Sequence, residues 1–113
     1  MQVDSLMQVD GSATYYDPAF RYTLEAHLAY FRASQTTYLI QVDPNDTVVY
    51  NQDLFGFLLN RNIKNCFHWF IMRLNNMFSP YEFGADSSSI LVPNTKELES
   101  IRQSFIASTT ITN

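Results

Sequence analysis

Residues 67–93, FHWFIMRLNNMFSPYEFGADSSSILVP, constrain the fold more than any other stretch of the chain. Phe67, Phe70, Ile71 and Leu74 recur at the spacing of one helical face. Asn75-Asn76 follows directly, and asparagine tolerates the left-handed backbone that ends a helix. Ser79-Pro80 then enforces a turn, because a residue before proline is pushed out of the helical region. A polar loop leads into Ser89–Val92, a β-branched run closed by Pro93. A helix must therefore stop, turn and hand over to a strand within this one segment.

Upstream residues supply the partners. Asp17-Pro18 reads as a helix start, with a capping carboxylate and a proline whose missing donor costs nothing there. Phe20, Leu24, Leu28 and Phe31 form an apolar stripe, which predicts one helix of about four turns. His27 lies beside that stripe and reads as a packing residue. Residues 36–42, TTYLIQV, predict a strand with Tyr38, Ile40 and Val42 on one face. Asp43-Pro44-Asn45-Asp46 reads as a turn, and residues 47–50 either extend a hairpin or lead into the next helix. Asp53 opens a helix carrying Leu54, Phe57 and Leu58, in which Gly56 costs about 1 kcal/mol relative to alanine. Residues 61–65 are a polar connector. Asn94-Thr95 starts a last helix, with Glu97 placed for a capping box and Leu98, Ile101 and Phe105 as its stripe.

The expected architecture is α+β: a small strand–helix–helix–strand core with an N-terminal and a C-terminal helix. Residues 1–13 repeat MQVD and read either as a flexible arm or as an extended segment that orders on a neighbour. Residues 14–107 form the domain, and 108–113 a polar tail that, like the arm, is short enough to act as a clasp. A chain of 113 residues holds one domain.

Composition narrows the partners. The net charge is −4, and the seven basic residues are scattered, so no stripe follows a phosphate backbone. Nucleic acid is not an expected partner. No apolar run reaches the length of a membrane span, and acidic residues stand where a signal peptide carries basic ones. Cys66 is the single cysteine, so no intrachain disulfide forms, which fits a reducing cytoplasm.

A search for chemistry finds little that converges. Nucleophile-elbow, zinc-helix, Cys-x-x-Cys and glycine-rich phosphate motifs are all missing from the sequence. Cys66 and His68 stand two apart on a helix and point to different sides, so they do not pair as nucleophile and base. Cys66 reads as a small buried hydrophobe. No enzyme activity, cofactor or metal is expected. What remains is an aromatic population of nine Phe, seven Tyr and one Trp. It serves either a large-side-chain core or a surface that a partner covers. Tyr22, Tyr30, Trp69, Met72 and Tyr81 are the candidate partner-interface residues. Trp69 lies off the core stripe, and either packs on the helix that starts at Asp17 or anchors an interface.

In this order, the pieces resemble the LysM-like fold, in the version found in baseplate wedge proteins of contractile-tailed phages of the T-even type. The likeness covers residues 20–95. It rests on Phe20-Arg21-Tyr22, residues 38–42 and 53–60, Phe67-His68-Trp69-Phe70, Asn75, Ser79-Pro80 and the closing Ile90-Leu91-Val92-Pro93. The chain departs from that pattern in three places. Residues 61–65 stand where the family often has Tyr-Gly-Asp, His68-Trp69 where it has two aromatics before a branched residue, and Ser79 where Asp is common. The resemblance implies a virion structural protein of the tail baseplate, made in the host cytoplasm. Its implied partners are the sheath initiator and other wedge subunits, with about six copies closing a ring. The same fold also carries an alternative use, as a LysM module binding N-acetylglucosamine polymers such as peptidoglycan or chitin. Such modules are usually secreted, and the absence of a signal peptide and the bulky groove residues favour the structural role.

Overall fold

The three Asp residues that precede helical patterns set much of the local structure. The computed structural model describes residues 12–110; most of the 1–13 arm and the end of the 108–113 tail lie outside the described residues. The chain opens with a 3₁₀ turn, Ser12–Tyr16, followed by helices α1 (Pro18–Glu25) and α2 (Leu28–Ala33) and strand β1 (Tyr38–Gln41). Helices α3 (Pro44–Val49) and α4 (Leu54–Asn60) come next, then a 3₁₀ turn at Asn65–Phe67 and helix α5 (His68–Leu74). A further 3₁₀ turn, Pro80–Glu82, leads to strand β2 (Ser89–Val92) and the terminal helix α6 (Thr95–Thr110). The fold is α+β, as the sequence predicts. Regular structure begins at Ser12 and persists to Thr110, so it reaches into both segments expected as arm and tail.

Asp17 caps α1 by accepting from the Ala19 N–H at 2.9 Å, with Pro18 at the first position. The predicted single four-turn helix is two helices with a break at Ala26–His27. The cause is local. The His27 ring donates from Nδ1 to the Thr23 carbonyl at 2.8 Å, and the His27 backbone N–H turns to Leu24 instead. A side chain has taken the carbonyl that the helix would have used. The apolar stripe survives the break, because Phe20, Leu24, Leu28 and Phe31 are all buried.

The strands pair antiparallel, with Tyr38 opposite Val92, Leu39 opposite Leu91 and Ile40 opposite Ile90. Alternation puts Ile90 and Val92 into the core, with Ile40 packed against it. Residues 43–46, expected as a turn, instead start a helix, so three helices rather than two separate the strands. Asp46 accepts from the Asp43 N–H at 3.0 Å and from Arg61 at 2.6 Å. Its carboxylate thus serves a helix N-terminus and an ion pair, two roles that turn chemistry alone does not require. Arg61 also lies 4.6 Å from the Phe57 ring centroid, which fixes the α4–α5 connector against the core.

Leu54, Phe57, Leu58, Phe70, Ile71 and Leu74 are all buried, as their spacing predicts. Phe31 meets Phe70 edge-on at 5.2 Å, Phe57 stacks on Phe83 at 5.0 Å, and Tyr15 meets Phe67 edge-on at 5.2 Å. The aromatic excess divides largely by its hydroxyl: most phenylalanines enter the core and most tyrosines stay outside. Met72 requires a correction. It was expected at an interface, yet it is 4% exposed, because α5 is enclosed on nearly every side and shows solvent chiefly at Trp69 and Arg73.

Candidate interaction surface

Two motifs far apart in sequence meet at one cleft. Arg21 on α1 donates from Nε to the Tyr15 carbonyl at 2.9 Å, which aims its guanidinium at α5. There it lies 4.9 Å from the Trp69 ring centroid and 5.4 Å from that of Tyr16. Tyr16, Arg21, Phe55, Asn65, His68 and Trp69 line a cleft of about 310 Å³. The helix capped by Asp17 and the 3₁₀ turn before it thus bring Tyr16 and Arg21 over the one half-exposed aromatic of α5.

His68 forms the inner wall. It is buried, its Nε2 donates to the Ile63 carbonyl at 2.8 Å, and its ring lies 5.4 Å from Phe55. Burial pushes its pKa below the usual histidine value, against a smaller opposing effect of the Ile63 bond. The ring is therefore neutral at pH 7. Burial also lowers the Arg21 pKa from its ordinary value, so this guanidinium has lost hydration. Arg61, Arg73 and Arg102 each pair with a carboxylate. Arg32 spends its donors on the end of α5, at Leu74, Arg73 and Asn76. Among the described residues Arg21 has no carboxylate partner.

The structure places the predicted interface residues in different settings. Trp69 packs under Arg21 of α1, the first of its two expected readings, and its ring is half-buried. Tyr22, 81% exposed, follows Arg21 but turns outward around α1. Tyr30 is exposed, yet its hydroxyl donates to Glu97 at 3.1 Å and so ties α2 to α6. Glu97 also accepts from Thr36 at 2.9 Å, while Asn94 caps α6 as expected, its Oδ1 accepting from the Lys96 N–H at 2.8 Å and the Glu97 N–H at 3.3 Å. Tyr81 is exposed in the turn after Pro80. No ring contact joins Tyr22, Tyr30 or Tyr81 to the Arg21–Trp69 cleft among the described residues.

Of the aromatics near the start that one small core was not expected to absorb, Tyr16, Tyr22 and Tyr30 are exposed but Tyr15 and Phe31 are buried; sequence reasoning missed Phe78 as a surface aromatic and Arg21 as the centre of the cleft. Phe78 is 79% exposed and lies 4.3 Å beneath the Arg73 guanidinium. Its position was readable: it follows the Asn75-Asn76 stop and precedes Ser79-Pro80, outside any apolar stripe.

Among the described residues, no group of three or more His, Cys, Asp or Glu side chains could hold a metal ion. No described helix is long and apolar enough to cross a membrane. Comparison with protein-family models, with curated proteins and with solved structures finds no match to the chain.

Proposed function

We propose that the protein is a structural component of a contractile phage tail baseplate wedge, acting by adhesion between subunits and not by catalysis. The observation that carries this reading is the Arg21–Trp69 contact. It is made by Phe20-Arg21-Tyr22 and Phe67-His68-Trp69-Phe70, two of the stretches on which the wedge resemblance rests. Trp, Tyr and Arg are the residues that dominate buried hot spots, and here all three sit in one cleft. Arg21 is held by a backbone carbonyl and by two rings before any partner arrives, so docking costs little side-chain entropy. A partner that covered the cleft would exclude water and strengthen the cation–π contact. The partners in this reading are the sheath initiator and neighbouring wedge subunits, in the virion tail baseplate.

Co-expression with those subunits tests it. Arg21→Ala should yield a folded protein that fails to enter the wedge complex. Incorporation at the level of the unsubstituted chain would overturn the reading. Retention of the chain on insoluble peptidoglycan, lost on substitution of Trp69, would transfer the cleft to the carbohydrate-binding alternative.

A further inference from the structure

The two outer edges of the sheet differ. Val42 donates to the Ser88 carbonyl at 3.0 Å, and the register continues through Ile40–Ile90 to Tyr38–Val92. In an antiparallel pair, such hydrogen-bonded positions alternate with positions whose backbone groups point away from the neighbouring strand. The outward positions are therefore Leu39 and Gln41 on β1, and Leu91 and Ser89 on β2. On β2 the Asn75 carboxamide takes both outward groups of Leu91. On β1 the outward N–H and C=O of Leu39 and Gln41 have no hydrogen-bond partner among the described residues. Leu39 is 56% exposed, Tyr38 and Gln41 are exposed as well, and β1 packs chiefly on β2.

An open edge is a template for another strand, and proteins guard against it with edge charges, prolines or bulges. Residues 36–42, TTYLIQV, carry no charge and no proline, and the pairing from Tyr38 to Gln41 contains no bulge. The edge is also self-complementary about Ile40. Antiparallel pairing with a second β1 across a two-fold axis at Ile40 sets Leu39 against the partner's Gln41. Both are outward positions, so each N–H meets a carbonyl and every outward group of the two residues is satisfied. Ile40 then faces the partner's Ile40, and Tyr38 faces the partner's Val42, an aromatic–β-branched pair of the kind that stabilises sheets. Asp43, the first charge after the strand, falls opposite the partner's Thr37. The two Asp43 carboxylates therefore stand about 20 Å apart, beyond the screening length of about 8 Å at physiological salt.

We propose that the outer edge of β1 is a self-association surface, on which a second copy of this chain adds its own β1 antiparallel about Ile40 and joins the two two-stranded sheets into one. The contact is isologous, so it closes at two copies. It stands apart from the wedge reading, because no residue of β1 lines the Arg21–Trp69 cleft.

Amide hydrogen exchange of the unsubstituted full chain, followed by NMR beside sedimentation velocity, tests it. A strand this short makes a weak contact, so concentrations from about 10 μM to about 1 mM are compared. The expected result is a dimer that grows with concentration, with the Leu39 and Gln41 amides slowed at least about ten-fold as it forms. The Ile40 amide, paired with Ile90, should be protected across the whole range. Leu39→Lys changes an exposed side chain but sets two ammonium groups diagonally across the axis, and should weaken the dimer at least about ten-fold. Mixing that variant with Leu39→Glu should restore association as a heterodimer; failure of the mixture to associate would overturn the register about Ile40. A chain that stays monomeric throughout would overturn the proposal. So would a dimer whose Leu39 and Gln41 amides exchange as in the monomer, because the contact would then lie on another face. Protection of both amides at every concentration without a dimer would also overturn it, because the edge would then be covered within one chain.

Discussion

The Asn75 carboxamide satisfies both backbone groups of Leu91. Its oxygen accepts from the Leu91 N–H at 2.8 Å, and its nitrogen donates to the Leu91 carbonyl at 3.0 Å. The same nitrogen donates to the Ile71 carbonyl at 2.7 Å, near the end of α5. The sheet has two strands, so β2 has a strand neighbour on one side only, and Asn75 bonds to it where a third strand would. Asn75→Ala leaves these backbone groups without their partner, and each such group costs about 1–3 kcal/mol where water cannot replace it. Urea unfolding should show a loss of about 2 kcal/mol or more. Asn75→Asp keeps an acceptor for the N–H but loses both donor bonds, and should also destabilise.

Gly56 presents an opposed pair of effects. A Cβ at this position would stand 2.2 Å from an Asp53 carboxylate oxygen, and that carboxylate caps α4 by accepting from the Gly56 N–H at 3.0 Å. Alanine would gain about 1 kcal/mol of helix propensity, but displacing the cap costs about 1 kcal/mol. Gly56→Ala alone should therefore change stability little. In an Asp53→Ala background, where no cap remains to be lost, the same substitution should stabilise by about 1 kcal/mol. Thermal unfolding of the four proteins measures the coupling.

His68 makes stability depend on pH. Its folded-state pKa is lowered, chiefly by burial, from the ordinary 6.5. Above that value the ring is neutral in both states and the contribution is whole. Below it the unfolded chain takes up the proton first, so stability falls toward the lower folded-state pKa. His68→Gln retains a donor for the Ile63 carbonyl but does not titrate. Its unfolding free energy should vary less than that of the unsubstituted chain across about pH 5–7.

Phe70 and Met72 test the core in pairs. Both are buried, and Phe70 also meets Phe31 edge-on at 5.2 Å. Phe70→Ala should cost about 3–5 kcal/mol and Met72→Ala about 2–5 kcal/mol. A near-neutral Met72→Ala in denaturant unfolding would return Met72 to the surface.

Much of this fold is legible in residue spacing, and the exceptions have physical causes. Ser89–Val92, the Asn75-Asn76 stop and the buried stripe of α5 follow from local chemistry that no distant contact opposes. Asp43-Pro44 was harder, because the same residues open turns and helices, and Asp46 resolves the choice through Arg61 fifteen residues away. The α1–α2 break depends on which hydrogen bond the His27 ring selects. Of the cleft, Trp69 was visible as a residue off its stripe, with the helix after Asp17 as one expected neighbour. The identity of its partner as Arg21 was not, because periodicity does not fix how one helix is rotated against another.

The Arg21–Trp69 cleft is proposed here as an assembly anchor. The most direct measurement is the dissociation constant between the purified chain and the sheath initiator or wedge subunits, for Arg21→Ala, Trp69→Ala and the double variant, each with its unfolding free energy. Each single variant that remains folded should lose about 2 kcal/mol or more of association energy, roughly thirty-fold in Kd. The double variant should lose less than the sum, since the two side chains act as one contact. Unchanged affinity in folded Arg21→Ala and Trp69→Ala proteins would contradict it.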